Sequence, residues 1–378
     1  MGVDQPVYSL SIHADYRCRH SGACCATDWD VPVELQVFRN LDAALKGDRL
    51  RVMGPPGRSG PAFMTGDDLP GDAAAVLART AEGHCVFFDR GSRFCVVHRD
   101  LGEAMLPATC RHFPRLAVRD ARGTFISLTH YCPTAASMLF REDVPLEIVT
   151  SPPAFPPGDY DGLEVDAHAW PPLLHPRVLM DLDGYAAWER HMVTRCANRA
   201  AAPEMVLATL ERDARILRTF APDGRSLSDP VRALPADLVD ARAHVSLEAS
   251  LLLHAEVMGA VPDDLKPAPD ERGLLDVYVR DVAPHWSDWH AALNRYLAAK
   301  AFASWTAYQG RGLLSVVRGL QAALALVRVE AARQCRNARR PLDQALLLEA
   351  FRGADFALNH LAVGEDLAAA WSSAERQL

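Results

Sequence analysis

Seven of the nine cysteines lie in the first 132 residues and carry the most specific chemical signal in the chain. They are Cys18, Cys24, Cys25, Cys85, Cys95, Cys110 and Cys132. Thiolates are soft ligands that bind zinc or iron–sulfur clusters when several converge in one region. The pattern predicts a metal site formed from these seven side chains, unless they are oxidised to disulfides.

The first group lies in the segment YRCRHSGACCATDW, where small residues let the backbone wrap closely around an ion. Cys24 and Cys25 are adjacent, and side chains of adjacent residues point in different directions. Such a pair rarely binds one ion together. It favours a polynuclear cluster, or a division between a cluster and another role.

The second group lies in GHCVFFDRGSRFCVVHRDLGEAMLPATCRHFPRL. Two apolar runs flank the turn residues Asp89–Ser92, which predicts a hairpin that brings Cys85 and Cys95 together across two strands. No CxxC half-site of a mononuclear zinc centre occurs in the chain. A [4Fe–4S] cluster, which accepts four thiolates from distant segments, is therefore preferred, with zinc as the alternative.

Two arginines follow Cys110 closely and could bind an anionic group of a cofactor or substrate. They are Arg111 and Arg115, and surface ion pairs with neighbouring acids explain them equally well. Cys132 follows GTFISLTHY, which reads as a strand, and it is the cysteine most easily spared from the ligand set.

Composition limits the partners and the compartment. A net charge of −8 gives no attraction to nucleic acid or to anionic lipid. The longest apolar stretch, 313–329, is interrupted by polar residues and predicts a buried helix, not a membrane span. The N-terminus lacks the features of an export signal, which predicts a cytoplasmic protein with reduced thiols, and so favours metal over disulfides.

These elements predict an α+β fold. Residues 1–150, with short strands, form a small cysteine-rich metal-binding domain, residues 151–176 a proline-rich linker, and residues 177–378 a mainly α-helical domain. The chain has no phosphate-binding loop, no nucleophile elbow, no HExxH helix and no strand-linked GxGxxG.

The cysteine blocks resemble a known family. YRCRHSGACCATDWDVPVE, CVFFDRGSRFCVVHRDLGEAMLPATCRHFPR and YCPTAASMLF, within residues 8–141, are similar in order and spacing to the flagellin lysine-N-methylases, which belong with the CxxCxxCC zinc- or iron-chelating proteins. Ser21 and its neighbours stand where the family carries a further cysteine. Either the second block completes the ligand set, or this chain binds metal differently.

The resemblance implies methyl transfer from S-adenosylmethionine to lysine ε-amino groups of flagellin or a similar surface protein, with a [4Fe–4S] cluster in the catalytic apparatus. A target lysine must lose its proton before it attacks a methyl group, so a base is expected. Glu103, His98 and Tyr131 are candidates by proximity alone. The alternative functions are a non-enzymatic metal-chelating module and a disulfide-stapled structural protein.

Overall fold

The computed structural model describes residues 5–27, 29–53, 61–66, 69–158, 160, 162–164, 172–221, 223–241, 246–267 and 271–376. The chain divides into two units. One is called here the cysteine-rich unit and consists of Arg17–Arg115 with a short segment around Tyr160. The other, the helical unit, consists of Met1–Tyr16, Leu116–Gly158 and Gly162–Leu378.

Strands occur before residue 180 and helices dominate after it. In chain order the strands are β1 (Val7–Leu10), β2 (Pro32–Val33), β3 (Phe63–Met64), β4 (Ala75–Leu77), β5 (Phe88–Asp89), β6 (Phe94–Cys95), β7 (Arg115–Asp120), β8 (Gly123–Leu128), β9 (Ile148–Thr150), β10 (Gly162–Glu164), β11 (Leu173–His175) and β12 (Val178–Leu179). The helices are α1 (Leu35–Lys46), α2 (Val96–Leu101), α3 (Ala108–His112), α4 (Pro133–Met138), α5 (Leu182–Cys196), α6 (Pro203–Leu217), α7 (Ser228–Arg232), α8 (Leu247–Gly259), α9 (Leu274–Val277), α10 (His290–Ala301), α11 (Leu313–Ala338), α12 (Gln344–Phe356), α13 (Gly364–Trp371) and α14 (Ser373–Arg376). The predicted mixture of helix and strand, with a mostly helical C-terminal half, is confirmed.

The helical unit contains a five-stranded sheet in the order β10-β7-β8-β1-β9. Strand β1 pairs in parallel with β8 (Val7↔Thr124) and antiparallel with β9 (Tyr8↔Thr150). The segment GTFISL, which was predicted to be a strand, forms β8, and every residue of β8 is buried. The N-terminal strand is therefore an interior strand of a sheet formed mainly by residues beyond 115.

The long helix α11 is the centre of the helical unit. It contains the apolar stretch from which a buried helix was predicted, and it is buried over most of its length against α6, α8, α10 and α12. Its one buried cation, Arg328, is 2% exposed and is paired with Glu204 and with Ser250 Oγ at 2.9 Å. Within the described ranges, no helix is long and apolar enough to cross a membrane.

The helical pattern that follows the proline-rich region forms two helices, α5 and α6. Helix α5 ends at Cys196 because Asn198 Oδ1 accepts the backbone N–H groups of Ala200 and Ala201, both at 3.2 Å, which turns the chain. Pro203 then opens α6 at a position where its missing N–H costs nothing.

The cysteine-rich unit has short strands and short helices around a core of its own. Strands β2, β4 and β3 form one small sheet, and β5 and β6 form the predicted hairpin with Phe88 opposite Cys95. The core side chains are Val33, Leu41, Phe87 and Val96, all at most 1% exposed. Cys25 and Cys85 belong to this core, and the side chains of Cys24, Cys95 and Cys110 pack against it.

The division between the units differs from the predicted boundaries at 1–150, 151–176 and 177–378. The break in the chain's contacts falls near residues 16 and 115, because β1, β7, β8 and β9 share one sheet with each other. The proline-rich segment supplies β10 and β11 to the helical unit, and Phe155 within it is fully buried. Residues 165–171 of that segment lie outside the described ranges.

Candidate metal centre

Five of the seven predicted ligands converge in the cysteine-rich unit from separate segments of the chain. Cys24 Sγ lies 3.9 Å from Cys25 Sγ, and the N–H of Cys85 donates to the carbonyl of Cys25 at 2.8 Å. The thiols of Cys25 and Cys95 are close enough for each to act on the pKa of the other. The thiol of Cys110 is close enough to sense the charges of Cys24, Cys85 and Cys95. We call these five residues the cysteine cluster.

The first segment reaches the cysteine cluster through a left-handed glycine. Gly22 has φ +74°, and the short 3-10 turn Ala23–Cys25 follows it directly. A Cβ at position 22 would overlap with the ring of Phe88, which is itself 6% exposed. Only glycine combines this backbone conformation with this close approach.

Substitution of Gly22 by alanine is expected to loosen the cysteine cluster. The left-handed conformation costs a non-glycine residue about 1–2 kcal/mol, and the Phe88 ring must also move. We expect faster modification of Cys24 and Cys25 by a thiol reagent in the folded protein, located by peptide mass mapping. Gly91→Ala is the matched control, since Gly91 has no positive φ and its added Cβ would come no closer than 3.4 Å to Asp89. Equal rates in the two variants would contradict this account of Gly22.

The second segment presents its cysteines differently from the hairpin prediction. Cys95 ends β6 and precedes α2, so its partner across the hairpin is Phe88. Cys85 lies before β5, where it forms an isolated bridge with Arg79. The two cysteines are brought together because Cys85 is held by the Cys25 carbonyl, and not because they face each other across two strands.

Hydrogen bonds within the cysteine cluster divide its thiols into two kinds. Hydrogen bonding to Cys25 lowers the pKa of Cys95 to about 7 and also lowers the pKa of Cys24. The same bonds raise the pKa of Cys25, so Cys25 keeps its proton. Burial raises the pKa of Cys85 to about 12 and raises the pKa of Cys110. The cluster therefore favours ionisation at Cys24 and Cys95.

The donor set suits a metal, although the side chains do not form a coordination shell. Zinc–sulfur bonds of about 2.3 Å in a tetrahedron place two sulfurs about 3.8 Å apart, close to the 3.9 Å between Cys24 Sγ and Cys25 Sγ. A cubane cluster carries each thiolate on a separate iron and holds the sulfurs further apart. Among the described residues, no group of three or more Cys, His, Asp or Glu side chains is arranged as metal ligands. Binding would require the thiols to reorient.

The other two predicted ligands, Cys18 and Cys132, have different surroundings. Cys18 is exposed, and its sulfur accepts the backbone N–H of His20 at 3.4 Å. Cys132 belongs to the helical unit, where its buried Sγ lies 3.7 Å from Tyr16 Oη. Their assignment as ligands stays a prediction.

The two arginines predicted to bind a cofactor contact each other. Arg115 donates from Nη1 to the carbonyl of Arg111 at 2.9 Å, which closes the end of α3. Arg115 also lies close enough to Tyr160 for its charge to act on the pKa of that phenol, although burial is the larger effect and raises it. Binding of an anionic group by this pair stays a prediction.

The three candidate bases have different surroundings. Glu103 is exposed on a 3-10 turn. The ring of His98 packs against that of His20 at a tilt of 57° with ring centres 4.8 Å apart, and burial lowers the pKa of His98. Tyr131 belongs to the helical unit, where its ring packs on Phe356 and His360 at 5.0 and 5.6 Å. None of these contacts distinguishes a base.

The helical unit contains a buried polar network that the sequence analysis missed. Asp355 is fully buried and accepts hydrogen bonds from His130 N–H, Tyr296 Oη at 2.7 Å and Lys300 Nζ at 2.8 Å. His130 Nδ1 lies 3.2 Å from the same carboxylate. These contacts, with Lys300 foremost, hold the pKa of Asp355 well below its usual range against the effect of burial. We call Asp355, His130, Tyr296 and Lys300 the Asp355 network.

The network fixes the tautomers of two histidines. Because His130 Nδ1 faces a carboxylate, it carries the proton and His130 Nε2 is an acceptor. His13 Nε2, 3.3 Å away, must then be the donor, which leaves His13 Nδ1 as a buried lone pair with no hydrogen-bond partner among the described residues. Burial lowers the pKa of both rings, so both are neutral near pH 7.

Stability is expected to fall with acidity well above the range where carboxylates titrate. Burial lowers the pKa of His254 and of His360 to about 4, and lowers that of His13 and His130. Unfolded histidine titrates near pH 6.5, so between pH 6.5 and 4 the unfolded chain binds protons that the folded chain does not. The contribution of these histidines to the free energy of unfolding should therefore be fully present above about pH 6.5. Below that pH the free energy of unfolding should fall by up to about 1.4 kcal/mol per pH unit per histidine.

Urea denaturation at pH 7.0, 6.0 and 5.0 checks this slope. His254→Gln should flatten it, whereas His285→Gln, on a side chain 39% exposed, should not. An unfolding free energy that does not change between pH 7 and 5 would contradict the expectation.

No protein-family model, no curated protein and no solved structure matches this chain. The function therefore has to be argued from the geometry of the two units and from the motifs of the cysteine blocks.

Proposed function

We propose that this chain is a metal-binding protein whose cysteine-rich unit holds an iron–sulfur cluster or zinc. The observation that carries the proposal is the convergence of Cys24, Cys25, Cys85, Cys95 and Cys110 on one small core. A single reduced cysteine is common in a protein core. Five cysteines from separated segments that meet in a unit of about a hundred residues are not explained by core packing alone. Metal binding supplies the explanation, because thiolates that ligate a metal are stabilised in their charged form.

The cysteine cluster contains one thiol more than either metal needs. A [4Fe–4S] cluster and a structural zinc ion each take four ligands. We propose the [4Fe–4S] cluster as the occupant because the chain has no CxxC half-site of a mononuclear zinc centre. Zinc is the alternative, which the 3.9 Å between Cys24 Sγ and Cys25 Sγ would suit. Cys24 and Cys95 are the thiols that ionise most readily, so they are the first ligands we assign. Cys18 and Cys132 complete the proposed pool of donors, and we place the protein in the cytoplasm, where all of these thiols stay reduced.

We further propose that the protein transfers methyl groups from S-adenosylmethionine to lysine side chains of a partner protein such as flagellin. The support is the resemblance of the cysteine blocks within residues 8–141. An acceptor lysine must be deprotonated to attack, so the chain has to supply either a base or a desolvating surface. The large helical unit also favours an enzyme over a simple chelator, because chelation alone needs no second unit.

Metal content tests the first proposal. The full-length chain is purified under anaerobic conditions, and iron, acid-labile sulfide and zinc are measured per chain. A [4Fe–4S] protein carries about four irons and four sulfides and is coloured, whereas a zinc protein is colourless with about one zinc. A protein that contains neither metal, and does not take up iron and sulfide on reconstitution, would sink the proposal.

Methyl transfer is tested separately on the metal-loaded protein. Flagellin and a second lysine-rich protein are incubated with labelled S-adenosylmethionine, and methyl-lysine is identified by mass spectrometry. Incorporation into lysine supports the enzyme. Metal binding without donor binding or methylation would instead support the non-enzymatic chelator. Titration of free thiols in denaturant without reductant decides the disulfide-stapled alternative, since blocked thiols in a metal-free protein would favour it.

A further inference from the structure

A cavity of about 210 Å³ lies in the helical unit between α10, α11 and α13. Its walls are mainly apolar and include Phe302, Val316, Leu320, Leu367 and Trp371. An apolar cavity of about 150 Å³ is large enough to bind benzene. This one therefore has room for a ring or a short chain with a polar group attached.

Lys300 is the one charged residue among the described residues that line the cavity. Its side chain is 12% exposed, and its ammonium group contacts the two carboxylate oxygens of Asp355 at 2.7 and 2.8 Å. An ammonium group has three N–H donors, so at least one remains after both oxygens are served. Within the described part of the chain, Lys300 has no other hydrogen-bond acceptor. A largely buried N⁺–H without an acceptor is costly, and an oxygen from an occupant of the cavity would satisfy it.

Asp355 does not depend on Lys300 alone for its hydrogen bonds. Tyr296 Oη and the backbone and ring N–H groups of His130 also donate to it. The Asp355 network therefore holds the lysine in a fixed position while leaving part of its hydrogen-bonding capacity unused. This is how binding sites hold a charged side chain toward a ligand.

Two irregular segments form part of the same wall. Ala303 adopts a left-handed conformation with φ +54°, which is rare for a residue with a Cβ. Residues Ala357–Leu361 form a π-helical turn, from which Leu358 and Asn359 line the cavity. Both features are enriched at functional sites because they cost stability that regular packing would recover. They point to the same cavity independently of Lys300.

We propose that this cavity binds a small monocarboxylic acid that has an aromatic ring or a short alkyl chain. The carboxylate accepts from Lys300, and the apolar part packs between Phe302, Leu320 and Trp371. The walls do not suit S-adenosylmethionine, because Lys300 repels a sulfonium and none of the described lining residues is an aspartate or glutamate that could bind ribose hydroxyls. The site is thus separate from the proposed metal and methyl-transfer chemistry.

Paired acids and alcohols test the proposal by calorimetry on the full-length chain. The probes are 3-phenylpropionate and octanoate, each compared with the alcohol of the same carbon skeleton. We expect the acids to bind at least about tenfold more tightly than the alcohols, since a charge-assisted hydrogen bond replaces an unsatisfied donor. Equal affinities for acids and alcohols, or no binding of any probe, would overturn the proposal.

Two variants locate the binding. Lys300→Met should abolish the preference for the acids, while Lys266→Met, at an exposed lysine paired with Asp263, should leave it unchanged. Ala323→Leu on α11 introduces bulk into the cavity at a residue outside the Asp355 network, and it should weaken acids and alcohols alike. Far-UV circular dichroism establishes that each variant is folded. Unchanged affinities in a folded Ala323→Leu protein would also overturn the proposal, whatever affinities the Lys300→Met protein shows.

Discussion

Replacing Cys25 and Cys85 together by serine is expected to reduce the bound metal to less than about one fifth of the wild-type amount. Three thiols of the cysteine cluster would remain, which is one fewer than a four-coordinate zinc or a [4Fe–4S] cluster takes. Serine keeps the size of the side chain but is neither a soft ligand nor ionised at neutral pH. Elemental analysis of anaerobically purified protein gives the metal per chain directly.

Two further substitutions make that measurement decisive. Cys196→Ala changes a fully buried cysteine of the helical unit that has no cysteine neighbour in its environment, and it should leave the metal content unchanged. Cys132→Ala tests whether the seventh N-terminal cysteine is a ligand, since the metal content falls only if Cys132 binds the metal. A double variant that retains full metal would show that Cys25 and Cys85 are only core residues.

Asp355→Asn is expected to lower the free energy of unfolding by about 3–5 kcal/mol, because it removes the counter-charge of a largely buried lysine. The amide has one acceptor oxygen for the four donors that the carboxylate serves, and its NH₂ group faces other donors. Urea denaturation at pH 7, followed by far-UV circular dichroism, measures the loss. The matched control is Asp229→Asn, whose side chain is 84% exposed beside Arg232 and should cost less than about 0.5 kcal/mol.

A double variant separates the charge effect from a general loss of packing. Combining Asp355→Asn with Lys300→Met removes both charges, so part of the loss should be recovered compared with the sum of the single variants. Strictly additive losses would show that the two charges are not coupled. A loss below about 1 kcal/mol for Asp355→Asn alone would contradict the role assigned to the Asp355 network.

Local patterns in the sequence predicted the elements that local chemistry determines. The apolar stretch after Gly312 became α11, the run at residues 123–128 became β8, and the turn residues after Asp89 closed a hairpin. In each case the signal and the structure lie within a few residues of each other.

The pairing of strands that are far apart in the sequence could not be predicted from local patterns. Nothing in VYSL indicates that β1 pairs with β8, so the predicted domain boundary followed the prolines instead of the sheet. The Asp355 network joins side chains from a residue after β8, from α10 and from α12. A lone histidine, lysine or aspartate on such elements is more often solvated, and its burial becomes visible only when the helices are packed. The signal that could have pointed to Lys300 is its rarity, since the chain has only three lysines.

Because β1 pairs with β8, the sheet of the helical unit cannot form on the ribosome until the chain has been synthesised beyond the first and second cysteine groups. Thr124, which lies opposite Val7, is synthesised more than a hundred residues later, roughly 5–25 s at usual rates of translation. During that delay Arg17–Arg115, which is nearly all of the cysteine-rich unit, is synthesised, while β1 has no partner strand. The cysteine-rich unit can thus fold, and acquire whatever it binds, before the sheet of the helical unit can close. A nascent chain arrested between residues 115 and 123 would contain Arg17–Arg115 of the cysteine-rich unit, but of the five-stranded sheet it would contain only β1 and all or part of β7.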